Sequence, residues 1–171
     1  FKLGACSAVM IFEPQPREFF DHGTSPSRLT SLREKLTILQ ETKIDRVYVV
    51  RFDDTFSKRN ATDFVKLILE KLRVVWLLVG DDFRFGADRK GDFSLLQKLS
   101  NKDTYMLESM PSLEYRGTRV SSTYVRRSLA EGKMELSKAL LGRYYTIRGR
   151  VVRGDGVGRK LGYPTANIDL K

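Results

Sequence analysis

Nine consecutive residues, Arg119-Val120-Ser121-Ser122-Thr123-Tyr124-Val125-Arg126-Arg127, carry the densest chemistry in this chain. Ser121, Ser122 and Thr123 stand just before a stretch of helical spacing, where hydroxyls cap free backbone N–H groups and a helix N-terminus attracts phosphate. Arg126 falls on the first turns of that helix and Arg119 immediately precedes it. Together the two arginines suit a polyphosphate clamp that stabilises charge developing in phosphoryl or nucleotidyl transfer. An ordinary helix cap flanked by solvated arginines uses the same residue types, so both readings stand on these residues alone.

Two further segments have unusual side chains for loops. In Phe12-Glu13-Pro14-Gln15-Pro16-Arg17-Glu18-Phe19-Phe20, the prolines hold the backbone extended between aromatics. That is either a rigid loop closing on the core or one wall of a pocket for a flat heterocycle, with Phe12, Pro14 and Pro16 lining it. Gly80-Asp81-Asp82-Phe83-Arg84-Phe85-Gly86 sets two carboxylates and two aromatics between glycines. A Phe-x-Phe exposed in a loop is costly without a partner, which favours ligand contact by Phe83 and Phe85 over loop packing. Arg51-Phe52-Asp53-Asp54 is a weaker candidate, because it also reads as the start of a helix.

These segments follow apolar runs that read as strands: Ser7 to Phe12, Arg46 to Phe52, Val74 to Val79 and Tyr105 to Glu108. Between them Leu29, Leu32, Leu36 and Leu39 recur at helical spacing, as do Phe64, Ile68, Leu69 and Leu72. Further helices are expected around Phe93–Leu99 and from Ser122 onward. Alternation of this kind predicts an α/β, doubly wound, Rossmann-like parallel sheet, since parallel strands need helical crossovers. Ligands of such sheets bind outside the carboxyl ends of the strands, which is where the two aromatic loops fall.

The 171 residues suffice for one α/β domain and part of a second. Lys and Arg exceed Asp and Glu by 31 to 21, and half of the resulting +10 lies in the 29 residues from Arg143 onward. The texture changes there too, to a strand-like segment from Tyr145 to Val152 and a glycine-rich loop, so a domain boundary is placed between residues 142 and 143. Anionic partners are favoured, and phosphorylated metabolites, nucleotides and nucleic acid all qualify. No recognition helix or RNA motif supports nucleic acid, which remains a minor alternative. The lone Cys6 makes no internal disulfide, and His22, the only histidine, reads as a solvated loop residue. The longest apolar run, Val74 to Val79, is far shorter than the ~20 residues of a membrane span. A cytoplasmic protein without membrane or nucleic-acid partners, monomeric or weakly self-associating, is expected.

The glycine-rich tail runs Gly154-Asp155-Gly156-Val157-Gly158-Arg159-Lys160-Leu161-Gly162-Tyr163-Pro164-Thr165-Ala166-Asn167. It is no P-loop, because Gly158-Arg159-Lys160-Leu161 lacks the Gly-Lys-Ser/Thr ending, and no dinucleotide fingerprint, because Pro164 rather than a helix follows the glycines. A flexible basic hairpin is the plain reading of the glycines alone.

Taken together, Arg-Val-Ser-Ser-Thr-x-x-Arg resembles the second signature of nucleotidyltransferases of the HxGH type. With Phe-x-Pro-x-Pro, Ser27-Arg28-Leu29-Thr30-Ser31-Leu32-Arg33-Glu34-Lys35 and Gly-x-Asp-Phe-x-Phe-Gly, the chain resembles the bacterial bifunctional FAD synthetase family, riboflavin kinase joined to FMN adenylyltransferase. Pro164-Thr165-Ala166-Asn167 is similar to the opening of the kinase module. The resemblance implies that Arg119, Ser121, Ser122, Thr123 and Arg126 hold ATP phosphates for adenylyl transfer. It implies a flavin side formed by Phe12, Pro14, Pro16, Asp82, Phe83 and Phe85. In the kinase module, Gly154, Gly156, Gly158, Gly162 and Pro164 would approach ATP, and Thr165 and Asn167 would give oxygens to Mg²⁺ and phosphate. The substrates and products implied are ATP, riboflavin, FMN and FAD, residues 1–142 forming the adenylyltransferase domain and 143–171 the start of a β-barrel kinase domain.

The family's first signature, a glycine-rich loop with the HxGH histidines, has no counterpart here, and most of the kinase barrel would lie beyond Lys171. The 171 residues alone are therefore expected to form neither FMN nor FAD at useful rates. Another HxGH-type adenylyltransferase, acting on nicotinamide mononucleotide or phosphopantetheine, is the nearest alternative, but it gives no reason for the Phe-x-Phe-Gly loop or the Pro-Thr-Ala-Asn run.

Overall fold

Helix starts in this chain are written into its side chains. The computed structural model describes residues 4–21, 23–100, 105–163 and 165–169. Asp53 accepts the Phe56 N–H at 2.9 Å to open α3 (Asp54–Ser57), and Asn60 accepts the Asp63 N–H at 2.7 Å to open α4 (Ala61–Lys66). Asp92 does the same for Leu95 at the head of α5 (Phe93–Leu99), at 2.9 Å. These caps divide the chain into short helices between four apolar strands. The strands are β1 (Ala8–Glu13), β2 (Arg46–Arg51), β3 (Trp76–Gly80) and β4 (Met106–Met110), all close to where the apolar runs placed them.

The chain divides into two compact units. The first comprises the chain up to Pro26 together with Lys43–Arg119, and the second comprises Ser27–Thr42 and the chain from Val120.

In the first unit β1 pairs with β2 in parallel, from Ala8 opposite Arg46 to Glu13 opposite Arg51. Asp45 fixes that register by accepting the Ser7 N–H and hydroxyl, each at 2.7 Å. β3 pairs with β4 in parallel, from Trp76 opposite Met106 to Gly80 opposite Met110. The expected single doubly wound sheet is thus present as two parallel pairs, which the described residues do not join. Apolar runs specify strands and crossovers, but not which strands become neighbours. A common core unites the pairs: Phe64 and Val65 of α4, Ile68 of the π-helical turn that continues it, Val79, Phe85 and Leu96 are buried together. Met10 and Phe12 of β1 and Leu107 of β4 pack against the same cluster. Each large apolar side chain taken from water stabilises the fold by roughly 1.5–3 kcal/mol. The unit also holds α1 (Pro16–Phe20) and a hairpin of β5 (Glu114–Tyr115) and β6 (Thr118–Arg119), elements the apolar pattern does not foretell.

The second unit contains α2 (Leu32–Glu41), α6 (Ser122–Ala130) and α7 (Met134–Leu141). Helices α6 and α7 meet at a buried hydroxyl pair, Ser128 and Ser137, whose oxygens are 2.7 Å apart. Gly142, in the left-handed region with φ 68°, ends α7. Of the strand expected over Tyr145 to Val152, the described residues form β7 (Arg150–Val152), paired antiparallel with β8 (Asn167–Asp169). The glycine-rich loop between them is not wholly irregular, since Val157–Lys160 makes one helical turn, α8. The described residues form this two-stranded hairpin and no closed barrel.

Glu34 ties α2 to the segment leading into β7. The Ser31 N–H and hydroxyl donate to one carboxylate oxygen at 2.7 and 2.9 Å, and the Arg148 N–H donates to the other at 2.8 Å. Burial pushes this carboxyl up, but the Ser31 hydrogen bonds and then Arg148 outweigh it, so its pKa lies below the ordinary value. A depressed carboxylate contributes stability that is complete above its unfolded pKa, at about pH 5 and higher, and is lost as the pH falls through the folded value. Glu34→Gln should therefore melt lower than the parent at pH 7, with the two melting temperatures converging as the pH falls below the ordinary carboxylate range. A gap independent of pH would mean that the charge of Glu34 is not what stabilises the contact.

Candidate functional site

The aromatic loops after β1 and β3 are joined by a continuous path of rings within the first unit. Phe12, at the end of β1, lies 5.9 Å from Phe52, 5.5 Å from Phe56 and 6.4 Å from Phe64. Phe64 then lies 5.4 Å from Phe85, which stacks on Phe83 at 5.3 Å with 23° between the planes. Phe19 and Phe20 extend the path from Phe52 in edge-on contacts of 5.4 and 5.8 Å. Phe56 and Phe64 are the connecting residues that sequence reasoning missed as part of the site. Phe64 marks an apolar helix face in the sequence, but which rings it meets depends on tertiary packing.

The ring path separates the roles of the two loop phenylalanines. Phe85 is only 7% exposed, belongs to the core cluster and exchanges backbone hydrogen bonds with Gly91 at 2.9 and 3.1 Å. Phe83 is half-buried and forms the outer layer of the stack. The core thus holds Phe85 rigid beneath Phe83, the member left able to meet a ligand. In the other loop Pro14 is exposed after a cis peptide bond, and Pro16 opens α1. Gln15 caps that helix while its own N–H donates to Glu18 at 3.0 Å. The backbone between Phe12 and Phe19 is fixed by this box and by proline geometry.

A charged cluster lies beside Phe83. Arg119 Nη2 donates to Asp81 Oδ1 and Asp82 Oδ2, both at 3.1 Å, and the Ser112 hydroxyl donates to Asp81 Oδ2 at 2.7 Å. The Ser112 hydrogen bond and then the Arg119 charge outweigh partial desolvation and hold the Asp81 carboxyl below its ordinary pKa, so it is ionised at neutral pH. The structure therefore brings together Arg119 and Asp82, one expected on the phosphate side and the other on the flavin side. Ser112 carries no signal in the sequence, being a lone serine after a strand.

In the second unit Ser121 is the N-cap of α6, its hydroxyl accepting the Tyr124 N–H at 3.2 Å. Ser122 and Thr123 are exposed on the first turn. Arg126 Nε donates to the Ser27 carbonyl at 2.7 Å, which anchors the side chain, and Arg127 lies over the Tyr124 ring at 4.9 Å. One of the three hydroxyls thus serves the helix itself, while two face outward beside an anchored guanidinium.

The glycine tail folds back on its own polar residues. A Cβ on Gly154 would collide with the Asn167 side-chain amide, and one on Gly158 would fall 2.7 Å from Thr165 Oγ1. Gly156 and Gly162 hold left-handed conformations at φ 67° and 79°, and the Tyr163 N–H closes the turn on the Gly158 carbonyl at 2.8 Å. Glycine is thus required where Thr165 and Asn167 approach the loop, and that cradle presents hydroxyl and amide oxygens, hard donors suited to a magnesium ion. Among the described residues no group of three or more His, Cys, Asp and Glu side chains forms a metal site. Pro164 and His22 lie outside the described residues. No described helix is long and apolar enough to cross a membrane.

A crystal structure from Streptococcus pneumoniae, of a protein described there as a macrolide-efflux protein, superposes with TM-score 0.77 over 95% of this chain and 53% of that one, at 25% identity. Curated proteins named bifunctional riboflavin kinase/FMN adenylyltransferase are similar over nearly the whole chain. The one from Escherichia coli strain K12 is 49% identical over 95% of this chain and 52% of its own length. The one from Buchnera aphidicola subsp. Schizaphis graminum is 42% identical over 99% of this chain and 55% of its own length, so the chain spans about half the length of these relatives. A family described as riboflavin kinase matches residues 141–171, and with the family described as FAD synthetase matching residues 2–124, the chain belongs to the FAD synthetase family.

Proposed function

We propose that this chain serves FAD formation, binding FMN and ATP for adenylyl transfer and contributing the first part of a riboflavin-phosphorylating module. The observation that carries the reading is the ring path that links the loops after β1 and β3 and ends beside the Asp82–Arg119 pair. Parallel strands put both loops at their carboxyl ends, where such folds take ligands. On this reading Phe12, Pro14, Pro16, Asp82 and Phe83 face the flavin, and Phe85 supports Phe83 from the core. Arg119, Ser121, Ser122, Thr123 and Arg126 are phosphate ligands. An FMN phosphate oxygen attacks the ATP α-phosphorus in line, the bond to the bridging oxygen breaks and pyrophosphate leaves. Side chains such as these position the groups and neutralise charge.

The finer assignments are parts of the same proposal. The adenylyltransferase and kinase parts meet near residue 142, the parallel pairs belong to one doubly wound sheet, and the β7–β8 hairpin opens the kinase barrel. The Gly154–Gly162 loop with Thr165 and Asn167 receives ATP phosphates there, and Thr165 and Asn167 hold Mg²⁺, which supplies positive charge to the phosphoryl group when bound.

Titration with FMN, read by the fluorescence of the isoalloxazine ring, tests the reading. FMN should bind saturably, Phe83→Ala should weaken it by about tenfold through lost stacking, and nicotinamide mononucleotide and phosphopantetheine should not compete. Displacement of FMN by either compound at equal concentration would favour another adenylyltransferase specificity.

A further inference from the structure

We propose that Asp81 is a positioning residue for Arg119, holding the Nη2 corner of its guanidinium so that the remaining N–H donors are presented to the phosphates of ATP, and that Ser112 in turn fixes Asp81. The proposal rests on Arg119 being a phosphate ligand, as inferred above.

Three chain segments converge to make the contact. Asp81 is the first residue after β3, and Ser112 follows β4 by two residues at the same sheet end, where Gly80 pairs with Met110. Arg119 closes the β5–β6 hairpin, opposite Glu114. Asp81 uses both oxygens, Oδ2 for the Ser112 hydroxyl at 2.7 Å and Oδ1 for Arg119 Nη2 at 3.1 Å. Asp82 reaches the same nitrogen at 3.1 Å, but its side chain is 73% exposed against 44% for Asp81, and Asp81 is the one anchored by a hydroxyl. Among the described residues Nη1 and Nε of Arg119 make no hydrogen bond. A guanidinium presents donors along more than one edge. With Nη2 held by the carboxylates, Nη1 and Nε keep their donors on different sides of the guanidinium, each available to one phosphate oxygen. An exposed ion pair of this kind adds little to folding stability, so orientation is the larger effect expected of it.

The sign of the effect separates positioning from simple charge. Asp81 is an anion near the proposed phosphate ligand, so as a mere neighbour it repels ATP, and Asp81→Asn would then tighten binding. As a positioning residue its loss weakens binding despite the removed repulsion. In calorimetric titrations of this chain with ATP, Asp81→Asn should bind about fivefold more weakly, and Ser112→Ala about two- to threefold more weakly. Ser112→Thr, which keeps the hydroxyl, should restore the parent affinity. Rotation about the Arg119 Cζ–Nη bonds, read by side-chain ¹⁵N NMR, should be faster in Asp81→Asn than in the parent. In an Arg119→Ala background Asp81→Asn should cost nothing further. Unchanged or tighter ATP binding by Asp81→Asn, with Arg119→Ala still impaired, overturns the positioning role alone. Unchanged ATP binding by Arg119→Ala overturns the phosphate role of Arg119 and the positioning role with it.

Discussion

Arg126→Ala should weaken ATP binding by about 10- to 100-fold while lowering the melting temperature by no more than about 4 °C. The estimate follows from the strength of charge-assisted hydrogen bonds, about 1.5–3 kcal/mol each, with about 1.4 kcal/mol per factor of ten. Arg126 has a structural duty as well, its Nε donating to the Ser27 carbonyl at 2.7 Å. That carbonyl belongs to an exposed residue which water can reach once the arginine is gone, so the structural part of the loss is about 1 kcal/mol or less. Arg126→Lys keeps the charge but not the fork, and one ammonium cannot reproduce both the Ser27 contact and a bidentate phosphate contact, so it should recover only part of the affinity. In a polypeptide that carries out both reactions, Arg126→Ala should depress adenylyl transfer far more than riboflavin phosphorylation. Calorimetry with ATP alongside thermal melting decides the matter. A large fall in melting temperature with unchanged ATP affinity would make Arg126 a structural residue.

The parts of the site that the sequence disclosed are those whose chemistry is local. A run of hydroxyls before a helical stretch specifies its own cap, and Ser121 caps α6 as its position demands. Glycines that admit polar neighbours are also written locally, and Gly154 and Gly158 do stand against Asn167 and Thr165. Contacts across long separations were not legible. The Ser112–Asp81–Arg119 cluster joins residues 31 and 38 positions apart, and no periodicity encodes it. Phe85 shows the limit most plainly. Its loop context argued for exposure, whereas Gly91 leaves room for its ring beside α5 and allows it to enter the core.

The fold divides in the same way. Apolar runs placed β1 to β4 because each strand must bury side chains, and helical spacing placed α2 and α4 for the same reason. Strand neighbours, the short helices α1 and α3 and the β5–β6 hairpin depend on caps and turns more than on apolar pattern.

Gly86→Ala is the substitution expected to destabilise the chain most for the atoms it adds. Gly86 has φ 72° and ψ 174°, a region essentially reserved for glycine, and leaving it costs of order 1–3 kcal/mol for any residue with a Cβ. Relief by backbone adjustment is blocked, because the new Cβ would stand 2.6 Å from both the Cα and the N of Ala61, main-chain atoms of the first residue of α4. The adjacent Ala87 N–H donates to the Arg59 carbonyl at 2.8 Å, which holds the loop against that helix start. α4 also carries Phe64 and Val65, so moving its first turn loosens the core cluster and the ring path together. A total of about 3–5 kcal/mol is expected, and at ~2–4 °C per kcal/mol for a chain of this size the melting temperature should fall by at least about 6 °C. Gly132→Ala is the matched control, since Gly132 has φ 69° but nothing within 4 Å of its Cβ position. It should cost only about 1–2 kcal/mol, the left-handed penalty alone. Equal losses for the two variants would show that the approach of the Gly86 loop to Ala61 contributes nothing beyond backbone conformation. If the two do differ as expected, Gly86→Ala should also weaken FMN binding beyond the fraction unfolded, because the displaced loop carries Phe83.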